Sequence, residues 1–112
     1  MKQITAYIQP FMADKVTDAL RDACIHGMSM LPCQCFGHLA SEPELRYEEQ
    51  ANPLGLVKKV KLEIVCSDSD KNSVMAIIQE HAHTGHQGDG KIFVSTIDET
   101  QDIRTGTTSD AV

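Results

Sequence analysis

The sequence has no tryptophan, and aromatic residues make up only 4% of its 112 positions. Any core must therefore be built from aliphatic side chains. Positive charge is also scarce: 10 Lys and Arg stand against 16 Asp and Glu, a net charge of -6. That balance argues against general binding to nucleic acid or to an anionic membrane, while leaving room for local basic spots. No apolar run is long enough to span a bilayer. The opening MKQITAYIQPF is too polar and too regularly alternating for a secretory signal. A cytoplasmic location is the expectation. Cys24, Cys33, Cys35 and Cys66 are then expected as free thiols.

What is present is an ordinary globular composition, 41% hydrophobic and 23% charged, at a length that suits one domain over residues 1–112. Ile4, Ala6 and Ile8 alternate, with Lys2, Thr5 and Tyr7 roughly on the other side, which predicts a strand ended by Pro10. Val16, Ala19, Leu20 and Ala23 recur at helical spacing, and Gly27 follows as a helix stop. Met28 to Phe36 reads as a strand whose Pro32 requires an edge position or a bulge. Residues 37 to 57 are polar, acidic and broken by prolines, and they predict a long mobile loop, of a length that is usually functional or disordered.

Lys58 to Cys66 restores alternation through Val60, Leu62 and Ile64. Ser67, Asp68 and Ser69 are candidate caps for a helix over Asp70 to His83, with Val74, Ile77, Ile78 and Ala82 facing inward. A glycine-rich turn over 84–90 leads to a strand over Lys91 to Ile97, and the segment 98–112 reads as a polar, partly mobile tail. The order strand, helix, strand, loop, strand, helix, strand is a duplicated βαβ plan. It predicts an α+β, ferredoxin-like fold with an antiparallel sheet and both helices on one face. That plan by itself implies no function.

The segment over 84–91, TGHQGDGK, is the most informative for chemistry. Glycines allow positive φ and close backbone approach, and successive amides in such a turn can form a concave anion site. Lys91 stands where it can reach a phosphate as a point charge. A plain helix-to-strand connector with a solvated lysine accounts for the same residues. The spacing matches neither a dinucleotide fingerprint nor a Walker loop. Arg104, in IRTG, offers a planar fork to phosphates or is a surface arginine in a tail.

The words YIQPFMADKVTDAL, GM at Gly27 and Met28, FG at Phe36 and Gly37, KVKLEIV, TGHQGDGKIFVS and IRTG together resemble the PII signalling family over nearly the whole chain. The resemblance implies a homotrimer that binds ATP or ADP, with Mg2+, in clefts between subunits. It also implies a long T-loop that docks on a regulated protein in nitrogen regulation. On that resemblance Gly88, Asp89, Gly90 and Lys91 match the phosphate-binding B-loop, and Arg104 matches an arginine supplied by a neighbouring subunit. Ser29 replaces a threonine near the adenine, Val65 lines the same pocket, and Gly37 and His38 stand at the base of the long loop.

Three departures carry consequences. Asp102 stands where the family has a first arginine near the phosphates. Leu39 replaces a glutamine linked to Mg2+ and 2-oxoglutarate; it has no polar side-chain atom, which argues against 2-oxoglutarate sensing. The loop has no clear counterpart of the modified tyrosine, and Tyr47 is the nearest in sequence. These departures resemble a divergent PII branch encoded beside heavy-metal efflux transporters, which implies a membrane transporter as partner.

Cys33 and Cys35 share one strand face, and with His38 they are candidate ligands for a soft or borderline metal. His81, His83 and His86 form a second group. Neither has the spacing of a structural zinc motif, and buried cysteines often serve as small apolar residues. No catalytic arrangement can be placed, and Glu63 reads as a structural carboxylate. The sequence thus predicts a nucleotide-binding regulator that is not an enzyme. The alternative is a metal-tolerance protein on the same scaffold, using Cys33, Cys35 and histidines.

Overall fold

The computed structural model describes residues 1–36 and 56–109. Its main elements are β1 (Lys2–Ile8), α1 (Ala13–Asp22), β2 (Met28–Phe36), β3 (Leu56–Cys66), α2 (Lys71–Ala82) and β4 (Gly90–Thr96). A 3-10 turn over Pro10–Met12 links β1 to α1. The strands form one antiparallel sheet in the order β2-β3-β1-β4. This is the expected α+β, ferredoxin-like topology. Gly37, His38, Leu39 and Tyr47 lie outside the described residues.

Every pairing joins odd to odd and even to even positions, for example Tyr7 to Lys61 and to Lys91, and Cys33 to Lys59. Directly opposed residues point to the same side of a sheet. The even face is the core face. Ile4, Ala6, Ile8, Leu62, Ile64 and Cys66 are buried there beneath Val16 and Leu20 of α1 and Val74 and Ile78 of α2. Each such aliphatic side chain contributes about 1.5–3 kcal/mol on burial. Pro32 is tolerated because β2 is an edge strand. Among the described residues the odd face carries no helix and holds Thr5, Tyr7, Lys59, Lys61, Glu63 and Lys91.

Four local expectations are corrected. Lys2 shares the even register, and at the sheet's end its ammonium donates to Thr96 Oγ1 at 2.9 Å. The stop of α1 is Cys24, not Gly27. Cys24 N–H donates to the Arg21 carbonyl and Ile25 N–H to the Leu20 carbonyl, both at 2.9 Å, with Cys24 at φ 62. This is a Schellman motif, closed by Ile25 packing back onto the core. No side chain caps α2. Asp68 is taken by the N-terminal ammonium at 2.8 Å, and Ser67 and Ser69 bond to each other at 3.0 Å. Finally, the tail is a hairpin through residue 109, in which β5 (Thr100–Gln101) pairs with β6 (Thr108–Ser109).

Candidate functional site

The segment between α2 and β4 is closed on itself by one carboxylate. Asp89 Oδ2 accepts from the amides of Thr84 at 2.8 Å and Gly85 at 3.0 Å, and Asp89 Oδ1 accepts from the Thr84 hydroxyl. The His86 amide donates to Thr84 Oγ1 at 3.2 Å. These donors hold the Asp89 carboxyl down to about 2. An acid at this position therefore serves the loop's shape: amides that would otherwise point outward are tied to it.

Two glycines make the loop possible. Gly88 has φ 94, and its carbonyl accepts from Gln9 Nε2 at 2.7 Å and from the Lys59 ammonium. Gly90 has φ 113 and lies so close to β1 that an added Cβ would sit 1.7 Å from the Tyr7 carbonyl oxygen. Only glycine fits there. The loop is thus anchored to β1 through Gln9 and Tyr7, and to β3 through Lys59.

This anchoring gathers cations at one end of the open face. Lys91, the second residue of β4, lies opposite Tyr7, and Lys61 pairs with Tyr7 from the other side. The Lys61 ammonium lies 6.0 Å from the centre of the Tyr7 ring. It also bonds Glu63 at 2.9 Å, which pushes its pKa up. Desolvation lowers the pKa of Lys59. An acidic chain therefore carries three lysines, Lys59, Lys61 and Lys91, beside a glycine-bearing turn. A cavity of about 310 Å³ adjoins it, lined by Ile8, Ile78, Ala82 and Ile92 together with Asp89, Gly90 and Lys91. Local cations and a shaped turn are what an anionic ligand requires.

The other sequence-predicted residues are distributed differently. Val65 is six residues from Lys59 along β3, roughly 20 Å at strand spacing. Ser29 pairs with Glu63, so it neighbours Val65 diagonally on the open face. The described chain thus brings Ser29 and Val65 together, but at the far end of β3 from the loop. Arg104 lies in the turn of the hairpin and makes no hydrogen bond or ion pair with residues 84–91 among the described residues. Asp102 Oδ1 accepts from the amides of Arg104 at 2.8 Å and Thr105 at 3.2 Å. Its charge is directed into its own turn.

Sequence reasoning did not single out Lys59, Lys61, Gln9 or Thr84. The run KKVK enters there through its alternation and as part of the word KVKLEIV, and its odd positions already place both lysines on one face. Gln9 has no comparable signal, because its role depends on a partner 79 positions away.

A family model described as Nitrogen regulatory protein P-II matches residues 1–107. A nitrogen regulatory protein P-II of Azospirillum brasilense is 41% identical over 106 residues, covering 95% of this chain and 94% of the relative. One from Mesorhizobium japonicum is 41% identical over 113 aligned positions, covering 100% of both. A protein named Nitrogen regulatory protein P-II 2 from Methanothermobacter thermautotrophicus is 40% identical, covering 95% of this chain and 91% of the relative.

Proposed function

The chain belongs to the nitrogen regulatory protein P-II family, and from that premise we propose that it binds ATP or ADP between the subunits of a homotrimer and controls a partner protein. A regulatory signalling role follows from family membership. The observation that carries the nucleotide reading is the turn at Gly88 to Gly90, pinned by the Lys59 ammonium on the Gly88 carbonyl and followed directly by Lys91, which the register sets across Tyr7 from Lys61 on the open face. Triphosphates and diphosphates are recognised by such cations and turns.

The separation of Ser29 and Val65 from the loop and the detached position of Arg104 support a composite site. One chain contributes the loop and its lysines, and a neighbouring copy contributes Arg104. The open face supports assembly, since Leu31 and Phe93 on it are 45% and 54% exposed. Exposed apolar surface on a sheet face is characteristic of an interface. In this reading the segment 37–57, entered from β2 and left through β3, carries the output to the regulated protein, and a membrane transporter is the proposed class. Mg2+ accompanies the nucleotide. With leucine at position 39, 2-oxoglutarate is not expected to change nucleotide affinity.

Isothermal titration with ATP, ADP and AMP, with and without Mg2+ and 2-oxoglutarate, tests this reading. Micromolar binding of an adenine nucleotide is expected. Light scattering should give a trimer. Replacing Lys91 or Arg104 with alanine should weaken nucleotide binding tenfold or more, as expected for loss of a charged hydrogen bond, and leave the trimer intact. Unchanged affinity in either variant would remove that residue from the site.

A further inference from the structure

Cys33 and Cys35 lie next to this loop but have no role in the nucleotide reading. Both are free, half-buried thiols on the odd face of edge strand β2. Their sulfurs are 4.0 Å apart. With metal–sulfur bonds of about 2.3 Å this separation gives an S–metal–S angle of roughly 120°, and moving the sulfurs apart by roughly half an ångström opens it to the near-linear geometry of a two-coordinate copper(I) ion. Extended backbone places i and i+2 side chains in parallel, and this spacing follows from that geometry.

Cys33 Sγ also reaches the Lys59 carbonyl at 3.6 Å, across the register that pairs Cys33 with Lys59. Burial and the Cys35 thiol push the pKa of Cys33 up, against a smaller opposing pull from the Lys61 and Lys59 ammoniums. Two thiolates and a monovalent cation leave one net negative charge, and Lys59, paired with Cys33 across the register, is the cation on the same face that can balance it. No group of three His, Cys, Asp or Glu side chains that could hold a metal occurs among the described residues. Zinc in structural sites demands four ligands. A soft monovalent ion accepts two sulfurs, and thiolates select copper(I) among the common metals.

We propose that Cys33 and Cys35 form a two-thiolate site for copper(I), supported by the Lys59 ammonium. Binding releases the two thiol protons, so affinity rises with pH. The site lies one residue's contact from the phosphate-binding candidate, because the same Lys59 ammonium bonds the Gly88 carbonyl.

The test is anaerobic titration of the full chain with copper(I) against bathocuproine disulfonate, followed by X-ray absorption at the copper edge. One ion per chain with two sulfur neighbours is expected. Cys33→Ser/Cys35→Ser should lose affinity by a hundredfold or more. Cys24→Ser, at an exposed thiol elsewhere, should retain it. Lys59→Met should bind several-fold more weakly with the same two-sulfur spectrum. Wild-type affinity in the double variant, or a spectrum without sulfur, would overturn the assignment. Tighter, four-coordinate zinc binding would do the same. None of these readouts involves nucleotide, so the outcome is independent of the nucleotide site.

Discussion

The Arg104 amide donates to the Asp102 carboxylate at 2.8 Å. Asp102 is therefore the brace of the turn that presents Arg104. The same carboxylate accepts from Thr105, and the Asp102 carbonyl accepts from the Gly106 amide at 2.7 Å. In the proposed nucleotide site an acid two residues before Arg104 reads from sequence as pure repulsion, and the bonds it accepts give it a structural role instead. The residue trades charge at the site for a local brace.

Asp102→Asn separates the two effects. Asparagine keeps an oxygen to accept from both amides and removes the negative charge. Nucleotide affinity should rise by roughly fivefold, the scale of one like-charge contact in water. Asp102→Ala removes the brace as well and should gain less. Titration calorimetry on the two variants checks the order.

Gly90→Ala should be severely destabilising. The new methyl would meet the Tyr7 carbonyl, which belongs to a central strand and cannot withdraw. A loss of more than about 3 kcal/mol is expected, because a steric clash with backbone adds to a φ that suits only glycine. Gly106→Ala is the control. It has φ 74 and open space around it, so its cost is about 1–2 kcal/mol from conformation alone. Urea unfolding of both proteins gives the comparison.

The Asp89 carboxyl, held at about 2 against an ordinary 3.8, makes the loop acid-sensitive. Its pKa is depressed, so its stabilising effect is fully present above the ordinary value. That effect is lost as pH falls from about 4 through about 2. Carbon-detected NMR titration should show the low value. Thr84→Ala removes the hydroxyl donor and should move it back toward the ordinary carboxylate range.

Cys24→Gly should stabilise the fold. Cys24 holds a left-handed conformation at the end of α1 that costs an L residue about 1–2 kcal/mol. Glycine has no such cost and is the usual residue at this position of a Schellman motif. A net gain of about 1 kcal/mol is expected, since glycine's greater freedom in the unfolded chain offsets part of it. Thermal unfolding under reducing conditions measures it.

Much of this protein is determined by its sequence over short range. Alternation at Ile4, Ala6 and Ile8 and at Leu62 and Ile64 specifies strands with one buried face, because neighbouring side chains on a strand point to opposite sides. The spacing of Val16 and Leu20, and of Val74 and Ile78, specifies amphipathic helices for the same kind of reason. Pro32 confines β2 to an edge position or a bulge, because proline lacks a ladder donor. The words TGHQGDGKIFVS and IRTG carried the family.

Only tertiary structure decided what joins residues far apart in the chain. Asp68 looks like a helix cap until the N-terminal ammonium takes it at 2.8 Å. Gly27 looks like the stop of α1, but backbone bonds to Leu20 and Arg21 place the left-handed residue at Cys24. Lys59 is one lysine in a strand until the sheet register brings its ammonium to Gly88, 29 positions on. Cys33 and Cys35 share a face by parity, but the 4.0 Å between their sulfurs depends on the side-chain torsions that packing on β3 selects. Periodicity is a property of a few consecutive residues. Which distant groups meet depends on strand order and register, and these are set by burial of the whole core.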